Sequence, residues 1–133
     1  GAVNPFNGEV AEMSSGQAKA PAFIRFLQTK LLDRHPNRRI IVYLDRGPVH
    51  RSKAVKKFLV ENPRLELRFI PPYSPELNPV EQWWGYKRMK FLNNRSFASQ
   101  HHIALAMASF VRNTEPETVL GICSLEPLQN LLN

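Results

Sequence analysis

Five consecutive apolar residues, Ile40-Ile41-Val42-Tyr43-Leu44, constrain what this chain can fold into more than any other segment. A run this short and this rich in β-branched side chains reads as a strand buried on both faces, as in a parallel or mixed sheet. Asp45 follows it directly. Residues 65–70 alternate as a second such strand. Between the two, residues 52–61 predict a helix with Ala54, Val55, Phe58 and Leu59 inward and Lys53, Lys56 and Lys57 outward. Asn62-Pro63 stops it.

Upstream, residues 1–4 and 9–13 read as strands on either side of Pro5-Phe6-Asn7-Gly8, because Asn-Gly is a strong turn signal. A helix is expected over 21–34, where Phe23, Phe26, Leu27, Lys30 and Leu31 fall at helical spacing and Pro21 suits a first turn. Residues 71–79 carry Pro71, Pro72, Pro75 and Pro79 and cannot be regular structure. Helices follow over 78–92 and 98–112, the second with Ile103, Ala106, Met107, Phe110 and Val111 inward. Short helical turns are expected after Thr114. Alternation of strands and helices predicts an α/β layer fold.

The 133 residues suit one domain. With 18 Lys and Arg against 11 Asp and Glu, the net charge is +7, which favours an anionic partner, nucleic acid first. Cys123 stands alone, so there is no internal disulfide and no cysteine zinc cluster, which fits a reducing, cytoplasmic setting. No apolar run approaches the roughly 20 residues of a membrane span, and no secretory signal is visible. The absence of a Gly-x-x-x-x-Gly-Lys-Ser/Thr loop argues against a nucleotide hydrolase.

Two carboxylates are candidates for chemistry. Asp45 sits at the C-terminal end of a buried strand, where α/β sheets gather ligands. It is equally placed to cap the turn Asp45-Arg46-Gly47-Pro48. Glu81 falls three residues after Asn78, with Pro79 between, so it can close a capping box or present its carboxylate to a metal. If the strand over 65–70 lies beside Ile40–Leu44, the chain returns to the same edge and the two acids approach. Two acids there suit Mg²⁺ or Mn²⁺, hard cations that take oxygen ligands. His50 reads either as a site residue or as a polar cap at a helix start. Tyr73 and Ser74 line the site or make a rigid turn. Of the adjacent Trp83 and Trp84, packing is the expected role. Lys87, Arg88 and Lys90 are candidate phosphate contacts or a solvated face. No role is assigned to His101 or His102.

The run from Ile41 to His50 (IVYLDRGPVH), the block from Phe69 to Trp84 (FIPPYSPELNPVEQWW) and the pair Lys87-Arg88 resemble the DDE-superfamily transposases, in particular the mariner-like branch of bacterial insertion sequences. The 35 residues from 46 to 80 that separate the acids are similar to that branch's spacing. Residues 1–4 and 8–9 resemble the family's second and third strands.

The resemblance implies an RNase H-like mixed sheet flanked by helices. It implies one partial catalytic domain over 1–133, with its core over 1–95 and C-terminal helices over 96–133. It also implies two Asp and one Glu holding two Mg²⁺ (or Mn²⁺) ions for DNA strand cleavage and transfer. Asp45 maps to the second acid and Glu81 to the third, with Arg46, His50, Tyr73 and Asn78 lining the site. The family's first Asp lies on a central strand upstream of Gly1, so the chain is expected to lack that strand and to be inactive alone. Arg46 stands where the branch usually has Asn. The unpaired edge of Ile40–Leu44 then predicts a homodimer. Expected partners are transposon ends and target DNA, with the protein at the bacterial nucleoid. The alternative is a non-catalytic DNA-binding or subunit-pairing module descended from a transposase.

Overall fold

A computed structural model describes residues 1–93 and 95–123. The elements in chain order are β1 (Ala2–Val3), β2 (Val10–Ala11), α1 (Ala20–Phe26), β3 (Ile40–Leu44), α2 (Lys53–Glu61), β4 (Leu65–Phe69), α3 (Pro79–Lys87), α4 (Gln100–Arg112) and α5 (Pro116–Ile122). The chain divides into two units: Met13–Ser74, and Gly1–Glu12 together with Pro75–Asn133.

In the Met13–Ser74 unit, β3 and β4 pair in parallel with Ile40 opposite Leu65 and Leu44 opposite Phe69. Backbone bonds from Ile40 N to Arg64 O (2.8 Å) and from Ile70 N to Leu44 O (2.8 Å) close the ladder at both ends. A parallel pair needs a crossover, and α2 supplies it. Ser52 caps that helix, its side chain accepting from Val55 N at 3.4 Å. Val55 is fully buried, Phe58 and Leu59 are half-buried, and the helix packs on α1. Ala54, expected inward, is exposed.

The expectation that Ile40–Leu44 is buried on both faces is corrected. Leu44 is buried, but Ile41 is 39% exposed. The register explains this: Ile41 and Tyr43 lie opposite Glu66 and Arg68, so that face carries charge. There Glu66 accepts from Arg68 (2.7 Å) and from Arg39 (2.5 Å), and Arg68 donates to the Tyr43 hydroxyl (3.1 Å). These bonds, Arg68 first and Arg39 second, hold the Glu66 carboxyl below its ordinary range.

From Leu27 to Leu32, α1 continues with wider turns, shown by a bond from Asp33 N to Gln28 O. Leu27, Leu31 and Leu32 are buried on it. Its end is gathered by Arg64. One guanidinium nitrogen donates to His35 O (2.6 Å) and Arg38 O (3.0 Å), and the other to Leu32 O (2.8 Å). Two of these carbonyls also take backbone bonds, Leu32 O from His35 N and His35 O from Arg38 N, and Arg64 adds a charged donor to each.

In the other unit, β1 and β2 pair as an antiparallel hairpin. Gly8 sits at φ +72°, and a Cβ there would lie 2.4 Å from the Pro116 carbonyl oxygen, so only glycine fits. The core holds Trp83, Val119 and Cys123, with Val3, Val10, Tyr86 and Phe110 against it. Burial pushes the Cys123 thiol pKa up. After Lys87, α3 also widens, over Arg88–Leu92. Helical turns after Thr114 are present in α5, and residues 124–133 lie outside the described residues.

Replacing Arg64 with Met leaves three carbonyls without their charged donor, and it should destabilise the protein by about 3 kcal/mol in a urea titration. An unchanged midpoint would show that solvent satisfies those carbonyls equally well. For Glu66 the folded pKa is lowered, so its contribution is present above the unfolded pKa and lost as pH falls through the folded one. The stability gap between wild type and Glu66→Gln should therefore close on acidification below the carboxylate range. A gap independent of pH would refute the ion-pair account.

Candidate functional site

Asp45 emerges where β3 ends, and its side chain is 64% exposed. Its Oδ1 accepts from Gly47 N at 2.7 Å, closing a two-residue turn. His50 Nδ1 stands 3.1 Å from that same oxygen and 3.1 Å from the Asp45 carbonyl, so a proton there is shared between them. The imidazole is backed by Phe23, with ring centroids 4.6 Å apart. A Cβ on Gly47 would lie 2.9 Å from Asp45 Oδ1, so glycine is needed for this approach. The structure thus brings Asp45, Gly47 and His50 together. It engages one carboxylate oxygen, while Oδ2 accepts no bond among the described residues. Arg46 is exposed, and among the described residues the partners of Asp45 Oδ1 are the Gly47 amide and His50, not Arg46.

The proline-rich segment ends the Met13–Ser74 unit and opens the other. Tyr73 has φ +59° and is 101% exposed. Ser74 donates to Pro72 O at 3.4 Å, and residues Pro75–Leu77 make one tight helical turn. Asn78 occupies the N-cap of α3, but its side chain makes no capping bond. Only its backbone carbonyl serves, accepting from Glu81 N at 3.1 Å. The capping box is therefore not formed. Glu81 is exposed in the first turn and has no hydrogen bond or ion pair among the described side chains.

Further along α3 the cations divide. Arg88 and Lys90 are exposed, as a phosphate contact requires. Lys87 is turned inward and only 6% exposed, its ammonium bonded to Glu12 Oε1. This departs from its expected role as a phosphate contact, since the ammonium is already committed to the half-buried Glu12. The same oxygen accepts from Trp83 Nε1 at 2.9 Å. Glu12 was not singled out in the sequence; nothing local marks an acid whose partners lie 71 and 75 residues away. Trp83 is core, with its ring stacked on Tyr86 and Phe110, whereas Trp84 is 37% exposed. His101 and His102 lie edge to face, and His102 pairs with the helix-capping Ser99. Among the described residues no three His, Cys, Asp or Glu side chains gather into a metal-binding group.

A family model for DDE superfamily endonucleases matches residues 1–104. This chain belongs to that family. A 39 kDa protein of insertion element IS630 from Shigella sonnei is 23% identical over 116 residues. Those cover 87% of this chain and 34% of the relative, so the DDE chain spans about a third of its length. A protein called y4pE/y4sA from Sinorhizobium fredii is 54% identical over 33 residues, a quarter of this chain and 24% of that one. Among solved structures, the Mos1 transposase paired-end complex with left transposon end matches with TM-score 0.67 at 21% identity, over 84% of this chain and 34% of that one. The catalytic domain of Mos1 mariner transposase matches with TM-score 0.65 at 21% identity, over 86% of this chain and 60% of that one. The fold of this DDE chain is therefore the α/β, RNase H-like one of transposase catalytic domains.

Tyr73 holds a left-handed backbone that a side chain with Cβ adopts at a cost. Tyr73→Gly should raise stability by up to about 1 kcal/mol, read as a higher thermal midpoint. A fall in the midpoint would mean that the ring makes a packing contribution its exposure conceals.

Proposed function

We propose that this DDE endonuclease chain contributes Asp45 and Glu81 as divalent-metal ligands to DNA strand cleavage and strand transfer in transposition. One observation carries the proposal. Each acid stands exposed at the end of a regular element, and each keeps carboxylate oxygen uncommitted, in a chain whose motifs and family are those of transposases.

The donor set fits the metal. Exposed carboxylate oxygens are hard ligands, which Mg²⁺ and Mn²⁺ prefer to the soft thiolates of zinc sites. The Mos1 catalytic domain was solved with Mg and with Mn. When bound, such ions lower the pKa of an attacking hydroxyl or water and stabilise the leaving oxygen of a phosphodiester. The residues do the rest. His50 and the Gly47 amide hold Asp45 Oδ1, which leaves Oδ2 to face the cation. Arg46, Tyr73 and Asn78 line the approach of the DNA. Arg88 and Lys90 contact phosphates beside the cut, a role Lys87 does not share.

The partners in this reading are transposon-end and target DNA in a bacterial cytoplasm, as fits relatives from two bacteria. No helix among the described residues is long and apolar enough to cross a membrane. The further partner is a second copy of the chain. Among the described residues β3 pairs only with β4, and its other edge offers unpaired backbone groups to an incoming strand.

Mn²⁺ binding followed by electron paramagnetic resonance tests the metal assignment. Asp45→Asn and Glu81→Gln should each weaken it by about tenfold or more, and the double variant should be little worse than either, because ligands of one site are not additive. Losses that add independently would separate the two acids into unrelated sites. Binding that neither substitution touches, in a chain that still holds DNA, would leave the non-catalytic DNA-binding module.

A further inference from the structure

We infer that the outer face of α2, with Arg51 at its entrance and Lys53, Lys56 and Lys57 along it, is a sequence-independent binding surface for the phosphate backbone of double-stranded DNA. The inference rests on the DNA-directed function proposed above and assigns it a surface apart from Arg88 and Lys90.

Four observations carry it. Residues 46–57 contain five cations, Arg46, Arg51, Lys53, Lys56 and Lys57, and no Asp or Glu. All five are exposed, and no ion pair reaches any of them among the described residues. The same molecule does neutralise arginines elsewhere on its surface, for Arg39 and Arg68 both bond Glu66. No such acid stands beside the cations of α2 before Glu61.

Spacing makes them one surface. Lys53, Lys56 and Lys57 stand at i, i+3 and i+4, so they share one side of the helix. Val55 is buried on the opposite side, and with Phe58 and Leu59 it fixes that side toward the core. The helix cannot roll without exposing its apolar stripe. Like charges one turn apart repel, which destabilises an isolated helix and is relieved when phosphates lie over them. A duplex presents a phosphate charge about every 1.7 Å of its axis, dense enough to meet a one-turn spacing. The chain's charge of +7 adds long-range attraction of the same sign. Glu61, the nearest acid along the helix, comes at its last residue, one turn beyond Lys57.

The test uses the whole chain and a fluorescent duplex of arbitrary sequence, with anisotropy read at several salt concentrations in EDTA. The variant Lys53→Gln/Lys56→Gln/Lys57→Gln should lower the slope of log K against log salt by about 2 to 3, close to 0.9 per lost contact. A control removes the same charge elsewhere, as Lys19→Gln/Arg25→Gln/Arg112→Gln, and should keep nearly the full slope. Circular dichroism shows whether each variant remains folded. Should the α2 variant misfold, the charge-retaining Lys53→Arg/Lys56→Arg/Lys57→Arg replaces it and should bind duplex as wild type does. Equal losses in patch and control variants would overturn the proposal, since only net charge would then matter. So would a folded Lys53→Gln/Lys56→Gln/Lys57→Gln variant that binds duplex as wild type. A preference for single-stranded RNA or an acidic peptide over the duplex would also sink it. Because duplex binding is read in EDTA, with no divalent ion present, failure of the metal reading and failure of this one are told apart.

Discussion

A polar group taken out of water must find a partner, and each unit of this structure is organised around one charged side chain that meets this demand. In the Met13–Ser74 unit it is Arg64. Its carbonyl receives Ile40 N at the head of β3, its side chain gathers three carbonyls behind α1, and it directly precedes β4. One residue thus fastens the end of a helix to the start of two strands. The register follows, and the register sets where β3 stops, so Asp45 projects from the last rung. In the other unit it is Glu12. Its Oε1 takes both the Trp83 indole and the Lys87 ammonium, which stand one turn apart on α3. A lone buried ammonium would cost several kcal/mol, so this pairing decides which face of α3 turns in. Glu81, Trp84 and Arg88 are left toward solvent as a result.

Much of this is legible along the sequence, because it rests on short-range chemistry. A continuous apolar run marks β3, period 2 marks β4, period 3.6 marks α2 and α4, and Asn7-Gly8 marks the hairpin. Pro21 and Pro79 mark helix starts, and Ile70 returning beside Leu44 follows from the crossover. What escaped depends on distant partners. Lys87 looks like its neighbours Arg88 and Lys90 until Glu12 is known to face it. The exposure of Ile41 cannot be foreseen without the strand register that sets it opposite Glu66. Asn78 has the right identity for a cap, but its side chain does not bend back to the helix. The wider turns at the ends of α1 and α3 carry no residue signature.

At Asp45 the turn-capping reading is what the structure shows, and it leaves room for the metal-binding role proposed above. A carboxylate has two oxygens and roughly four acceptor sites. Oδ1 is spent on the Gly47 amide and His50, which fixes the rotamer; Oδ2 then points from a rigid support instead of a mobile one. A ligand held still before the metal arrives loses less entropy on binding it. The turn-capping role would therefore serve the metal-binding role proposed for Asp45.

The charge pattern adds a coupling between metal and DNA. Asp45 is followed by twelve residues that carry five positive charges and no negative one. Cations nearby disfavour a divalent ion at the carboxylate when no DNA is present. If the α2 face takes phosphates, the duplex brings negative charge to the same neighbourhood and removes that opposition. By reciprocity of linked equilibria, a bound ion must then strengthen DNA binding by the factor with which DNA strengthens ion binding. On the proposed metal-binding role, basic residues beside Asp45, which look like a defect when the chain is considered alone, would make the acid's affinity conditional on DNA. The same arithmetic would account for Arg46: exposed, and without an ion pair among the described residues, it would weaken the proposed site when empty and favour it with DNA in place.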